Sequence, residues 1–274
     1  MMITSTSNQQ IKNIIKLQKS NKARREQQVF LLEGIRMFRE IPQQYLVKAY
    51  VTEEWQEQLS ENWIEGETYE VVSNGVFREI SDTQTPQGVL AIVQQRVYQR
   101  KDLLGGIINS ENSTEMTECR RQEVPCILVL ENVQDPGNLG TILRTAEGAG
   151  VTGIMMSKDT VDVYNSKVVR STMGAIFRMP FCYEEDIYQG VSWLQEQGIA
   201  CYAAHLKGQV FYGYDYRQPC CFFIGNEGNG LTAELTAMAN QQIQIPMVGQ
   251  VESLNAATAA TVLMYEAMRQ RYNG

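Results

Sequence analysis

CILVLENVQDPGNLGTILRTAEGAGVTGIMMS, Cys126 to Ser157, carries two apolar runs with a patterned segment between them. CILVL and GIMMS read as short buried strands. Between them, Leu139, Ile142, Leu143 and Ala146 recur at i, i+3, i+4 and i+7, which is one face of a helix. Gly148 to Gly153 also spells G-x-G-x-x-G, the letters of a dinucleotide-binding loop. Such a loop works only after a strand and before a helix, because the pyrophosphate sits on the helix N-terminus. Here the glycines end a helix, where glycine serves as a C-cap, and a strand follows. The order is the reverse of what a pyrophosphate site needs, so a nicotinamide oxidoreductase is disfavoured. Strand, helix, strand predicts a βαβ unit.

The same alternation runs to the end of the chain. Apolar runs at ACYAAH, CFFIG and IQIP are interleaved with helical patterns over 166–173, 188–197, 232–240 and 255–271. A parallel sheet covered on both faces is expected for 125–274. Residues 1–97 read as a smaller mixed α/β domain. A basic helix precedes strands at VFLLEG, LVKAYVT, YEVVS and GVLAIVQQ, with a helix over 53–60. The polar segment 98–124 lacks apolar periodicity and is expected to be an interdomain linker, long and mobile.

Composition bounds the function classes. The 274 residues are 43% hydrophobic and 20% charged, ordinary for a globular protein. No apolar run approaches the roughly 18 residues of a membrane span, and the N-terminus lacks the apolar core of a signal peptide. The six cysteines (Cys119, Cys126, Cys182, Cys201, Cys220 and Cys221) form no C-x-x-C pair, and His205 is the sole histidine. A metal site is therefore not expected, and the reading is a cytoplasmic protein with reduced thiols. His205, just past an apolar run, reads as a packed strand-end residue rather than a base. Net charge is −7, yet residues 1–25 carry Lys12, Lys16, Lys19, Lys22, Arg24 and Arg25 and no acid. The remainder then holds 18 basic against 31 acidic residues. That asymmetry suggests a basic, nucleic-acid-binding face on an acidic body. The alternative is a solvated helix, since Ile11, Ile14, Ile15 and Leu17 give it an apolar face.

Ligands of an open parallel sheet bind beyond the carboxyl ends of its strands, and three such ends are unusual here. After CILVL, Pro136-Gly137 turns the chain, Asn138 is a candidate helix cap, and Arg144 points away from the apolar stripe. After CFFIG, glycines flank Asn226, Glu227 and Asn229, so backbone can approach a ligand closely. After IQIP, which ends at Pro246, a loop delivers Glu252, Ser253 and Asn255 to a helix start. Each loop taken alone is explained by capping or by an acidic turn.

Together, in this order, the loops resemble the SpoU/TrmH branch of the SPOUT RNA methyltransferases. The first motif is carried by Asn132, Asp135, Pro136, Asn138, Gly140 and Arg144, the second by IGNEGNGL (224–231), and the third by IPMVGQVESLN (245–255). VVRSTMGA (168–175) is similar to a further element, with Thr172 where serine is usual and the hydroxyl kept. FLLEG (30–34) and TPQGVLAIV (85–93) resemble the family's substrate-binding domain, a fold shared with a ribosomal protein.

The resemblance implies an S-adenosylmethionine cofactor in a deep C-terminal trefoil knot, a homodimer, and methylation of a ribose 2′-hydroxyl in RNA. Ribosomal RNA is favoured over transfer RNA. It places cofactor contacts at Gly225, Ile245, Pro246, Leu254 and Asn255. It places reaction residues at Asn138, Arg144, Glu227, Ser253 and Asn255. An arginine stays charged in proteins, so Arg144 is expected to stabilise developing alkoxide and hold a phosphate rather than take a proton. Asn138, Ser253 and Asn255 would orient ribose and cofactor, and Glu227 would pair with Arg144 or with a partner subunit. A non-catalytic RNA-binding protein with a degenerate domain is the rival, and the intact polar set speaks against it. The last helix is apolar nearly all round (Leu254, Ala257, Thr261, Met264, Tyr265 and Met268 on one face), which points independently to a covering subunit.

Overall fold

A computed structural model describes residues 2–58, 69–105 and 124–272. The chain divides into two compact units, one of residues 1–96 with 162–177, the other of residues 97–161 with 178–274.

The first unit begins with α1 (Gln9–Lys19) and α2 (Asn21–Gln27). Asn8 caps α1 through its side chain, and Ser20 caps α2. Ile11, Ile14 and Leu17 of α1 are fully buried, each contributing about 1.5–3 kcal/mol of apolar burial. Then follow β1 (Val29–Glu33), α3 (Ile35–Phe38), β2 (Leu46–Val51), α4 (Glu53–Gln58), β3 (Tyr69–Val71), α5 (Asn74–Ile80) and β4 (Val89–Gln94). The sheet order is β1-β4-β2-β3, with β4 antiparallel to both neighbours and β2 parallel to β3. One buried cluster joins α1, α5 and the sheet through Leu17, Tyr50, Phe77 and Leu90. The expected helix over 53–60 is present as α4, with 59–60 outside the described residues.

The second unit holds β5 (Cys126–Leu130), α6 (Pro136–Gly148) and β6 (Gly153–Ser157). The chain then gives α7 (Ser166–Thr172) to the first unit. The VVRSTMGA element thus packs there, with Arg170 paired to Asp82 at 2.9 Å. β7 (Phe181–Glu184), α8 (Ile187–Glu196), β8 (Ala200–Val210), β9 (Cys220–Ile224), α9 (Ala233–Met238), β10 (Gln241–Gln244) and α10 (Ala256–Tyr272) complete the second unit. All six strands are parallel, in the order β10-β8-β9-β5-β6-β7. Chain order reverses between β5 and β9, and loops at such a switch point form a natural crevice.

Residues 98–105 are not a free linker. A 3-10 turn at Arg100–Leu104 buries Leu103 completely in the core beneath β5 and β6, and Arg100 pairs with Glu184 at 2.6 Å. Residues 106–123, the rest of the expected linker, lie outside the described residues. α10 buries Ala257, Ala260, Leu263, Met264 and Ala267 within this chain, while Tyr265 stays 41% exposed.

Candidate functional site

The loops after β5 and β9 are tied together at the switch point. Glu131, 3% exposed at the end of β5, accepts from the Thr232 backbone N–H (2.8 Å) and hydroxyl (2.7 Å). Thr232 also caps α9, so one buried carboxylate fixes the start of that helix. Asn132 sits at φ 55°, and its carbonyl accepts from Asn226 Nδ2 at 2.8 Å. Asparagine tolerates this left-handed geometry better than most residues. Asn226 in turn closes its own turn with two backbone hydrogen bonds to Gly230 and accepts from the N–H groups of Gly228 and Asn229.

Glu227 then reaches across. Its carboxylate accepts from the backbone N–H of Gln134 (3.1 Å) and Asp135 (3.0 Å) and from Asn138 Nδ2 (2.9 Å). Burial opposes its charge, but the Asn138 and backbone hydrogen bonds outweigh it and hold the carboxyl below its ordinary range. The expected pairing of Glu227 with Arg144 is absent among the described residues, because three closer donors occupy the carboxylate. Asn138 Oδ1 accepts from Asn255 Nδ2 at 2.9 Å, and Asn255 Oδ1 caps α10 through the N–H groups of Ala257 and Thr258. One chain of hydrogen bonds, Glu227–Asn138–Asn255, therefore joins all three loops.

Asn138 is not the cap of α6. Asp135 takes that role, accepting from the Asn138 N–H at 2.8 Å with Pro136 in the first turn. This frees the Asn138 side chain for the cross-loop bonds. The D-P pair was the available sequence signal.

A cleft of about 610 Å³ opens beside these loops. Gly225, Glu227, Ile245, Ser253, Leu254 and Asn255 line it, while Pro246 is exposed and outside the lining. Gly225 is also required by its own turn: a Cβ there would run into the Gly230 carbonyl carbon and the Leu231 N. A third wall comes from β8, which the sequence did not single out. Its ladder with β10 passes from Ala203–Gln242 directly to Gln209–Ile243, leaving residues 204–208 outside that pairing. Such irregularities re-aim side chains beside functional sites. His205 therefore lines the cleft half-buried, its Nδ1 accepting from the Lys207 N–H at 3.2 Å, instead of packing at a strand end.

Arg144 lies two turns along α6 from Asn138, exposed and with no hydrogen-bond or ion-pair partner among the described residues. On the first unit, Lys12, Lys16, Lys19, Lys22 and Arg25 are exposed. Arg24 is not: it is 6% exposed, donates to the carbonyls of Leu17 and Gln18, and pairs with Asp162 at 2.5 Å. Its guanidinium is consumed inside the unit, which removes it from the basic surface. Among the described residues, no group of three metal-ligating side chains occurs and no helix is long and apolar enough to cross a membrane.

Fold and cleft together define an open parallel-sheet α/β protein with a cleft at the carboxyl ends of β8, β9 and β10, beside its topological switch point. Residues 125–265 match the SpoU rRNA Methylase family, and residues 8–91 match the MRM3-like substrate binding domain. The chain belongs to the SpoU rRNA methylase family. It is 32% identical to an uncharacterized tRNA/rRNA methyltransferase of Synechocystis sp., with 98% of this chain and 94% of that one covered. It is 28% identical to the 23S rRNA (guanosine(2553)-2'-O)-methyltransferase RlmP of Bacillus subtilis, over 96% and 97%. The AdoMet-bound rRNA methyltransferase from Sinorhizobium meliloti superposes with a TM-score of 0.82 at 30% identity, covering 98% and 97%.

Proposed function

We propose that this chain transfers a methyl group from S-adenosylmethionine to a ribose 2′-hydroxyl of RNA, with ribosomal RNA the substrate its named relatives favour. The observation that carries the reading is the Glu227–Asn138–Asn255 chain, which binds three strand-end loops into one site beside the cleft.

The residues present fit the cofactor. The cleft volume lies within the range of small-ligand sites, and Ile224, Ile245, Met247 and Leu254 give it apolar walls. Backbone of the glycine turn and the hydroxyl of Ser253 supply polar contacts. Gly225, Ile245, Leu254 and Asn255 would hold the cofactor, with Pro246 shaping the strand exit. When bound, S-adenosylmethionine supplies an electrophilic methyl group on a sulfonium.

The chain's own residues set the rest. Asn138 and Asn255, locked by their mutual hydrogen bond, would orient the ribose together with Ser253. Glu227 holds the Asn138 amide from behind and so positions rather than reacts. Arg144, with no partner among the described residues, would stabilise an oxyanion on the ribose and grip an adjacent phosphate. The exposed lysines of α1 supply RNA affinity from a ribosomal-protein-like domain, residues 1–97. The family resemblance supports a deep trefoil knot in 125–274. Exposed Tyr265 beside half-buried Val262 and Met268 on α10 supports a homodimer, in which a second copy covers that helix. The bacterial relatives named for ribosomal RNA support a cytoplasmic location.

Calorimetry with S-adenosylhomocysteine and NADH tests the cofactor assignment. S-adenosylhomocysteine should bind and raise the melting temperature in proportion to occupancy. Binding of NADH alone would overturn the reading.

A further inference from the structure

The first unit contains a second cleft, about 330 Å³, between the end of β2, the start of α5 and the turn before β4. Its volume lies at the small end of ligand-sized cavities. Trp55 and Phe77 form its apolar side. Trp55 is 9% exposed and packs edge-on against Phe38, with ring centroids 5.5 Å apart, yet its Nε1 is buried with no acceptor among the described residues. A buried N–H left unpaired costs about 1–3 kcal/mol, and most such groups in native proteins find a partner.

The polar side is also unspent. Gln87 Oε1 accepts from the Ile35 N–H at 2.9 Å, which fixes the amide and leaves Nε2 as a donor. Glu54, Asn74 and Arg78 are exposed and have no hydrogen-bond or ion-pair partner among the described residues. Two opposite charges thus share one cleft without pairing with each other. A cleft with an apolar side, a guanidinium, a carboxylate and two amides matches the parts of a nucleotide. Guanidinium suits phosphate, and carboxylate and amide groups suit the donors and acceptors of a base edge.

We propose that this cleft takes one unpaired nucleotide of the RNA substrate, its phosphate held by Arg78 and its base edge met by Glu54, Asn74 and Gln87. The inference rests on the RNA reading above. A base offers that edge to protein only when it is not in a duplex, so the cleft selects single-stranded or looped RNA.

Fluorescence anisotropy on the full chain tests it, using a labelled single-stranded oligoribonucleotide and a blunt RNA duplex of the same sequence. All substituted residues are exposed; Gln87→Ala also releases the Ile35 N–H at the start of α3, and unchanged circular dichroism checks that the fold persists. Arg78→Glu and the pair Asn74→Ala with Gln87→Ala should each weaken single-strand binding by about tenfold or more. Duplex binding should change less than about twofold, the difference that separates readout of a base from simple charge attraction. S-adenosylhomocysteine affinity should be unaltered. If both variants bind the single strand as the parent does, or lose the duplex equally, the cleft assignment is overturned while the RNA reading stands. If the parent binds neither RNA, the RNA reading falls and this inference falls with it.

Discussion

The carboxylate of Glu227 accepts three hydrogen bonds from the loop that opens α6, and its titration sets how the site responds to acid. Its folded pKa lies below the ordinary carboxylate value of about 4.3. A depressed carboxyl contributes order that is complete above the ordinary value and is lost as pH falls through the folded one. Cofactor affinity should therefore owe no pH dependence to Glu227 between about pH 6 and 8. Glu227→Gln keeps one acceptor oxygen and should weaken S-adenosylhomocysteine binding at pH 7, measured by calorimetry. An affinity equal to the parent's would show that the clasp does not shape the cleft. Arg144 makes the second residue-level prediction. In single-turnover transfer at saturating RNA and cofactor, Arg144→Ala should lower the rate by about 10²–10³ and leave cofactor affinity intact. Arg144→Lys should remain poor, because lysine keeps the charge and loses the planar fork. A rate within a few-fold of the parent would make Arg144 an ordinary surface arginine.

At the scale of elements, the turn after β9 and the basic helix α1 behave differently under substitution. Gly225→Val places side-chain atoms against the backbone of Gly230 and Leu231, which must move. Overpacking of this kind costs about 1–3 kcal/mol, so the melting temperature should fall along with cofactor binding. On α1, reversing Lys12, Lys16 and Lys19 should weaken RNA binding and reduce the salt slope by roughly two to three. Arg24→Met should do neither. It leaves the Asp162 carboxylate, only 12% exposed, without its partner; breaking a fully buried pair typically costs about 3–5 kcal/mol, so a loss of that order or somewhat less is expected. The sequence shows why these six cations look equivalent: spacing identifies the buried face of α1 through Ile11, Ile14 and Leu17, but nothing local reveals Asp162, 138 residues away. Where the signal is local, elements were legible. Leu139, Ile142, Leu143 and Ala146 are all fully buried, as the α6 stripe requires. β7 was missed because four residues, FCYE, are too few to establish a period. The excursion of β8 at 204–208 depends on pairing with β10, so His205 and Lys207 could not be placed in the cleft from their own neighbourhood.

Over the whole molecule, the site exists because strands distant in sequence lie side by side. β5 pairs with β9, ninety-odd residues later, and that adjacency brings Glu131 to Thr232, Asn132 to Asn226 and Asn138 to Glu227. Sequence reading located the three loops through their glycines, prolines and strand ends. It could not tell that Glu227 would face Asn138 rather than Arg144, because strand order in the sheet is a tertiary choice. The central claim is that this site moves a methyl group onto a ribose oxygen. The most direct test incubates the protein and methyl-labelled S-adenosylmethionine with ribosomal RNA from a strain lacking it, then digests the RNA to nucleosides for mass spectrometry. Label in a 2′-O-methylated nucleoside is the predicted result; label confined to a base, or no transfer to that RNA, would contradict the account.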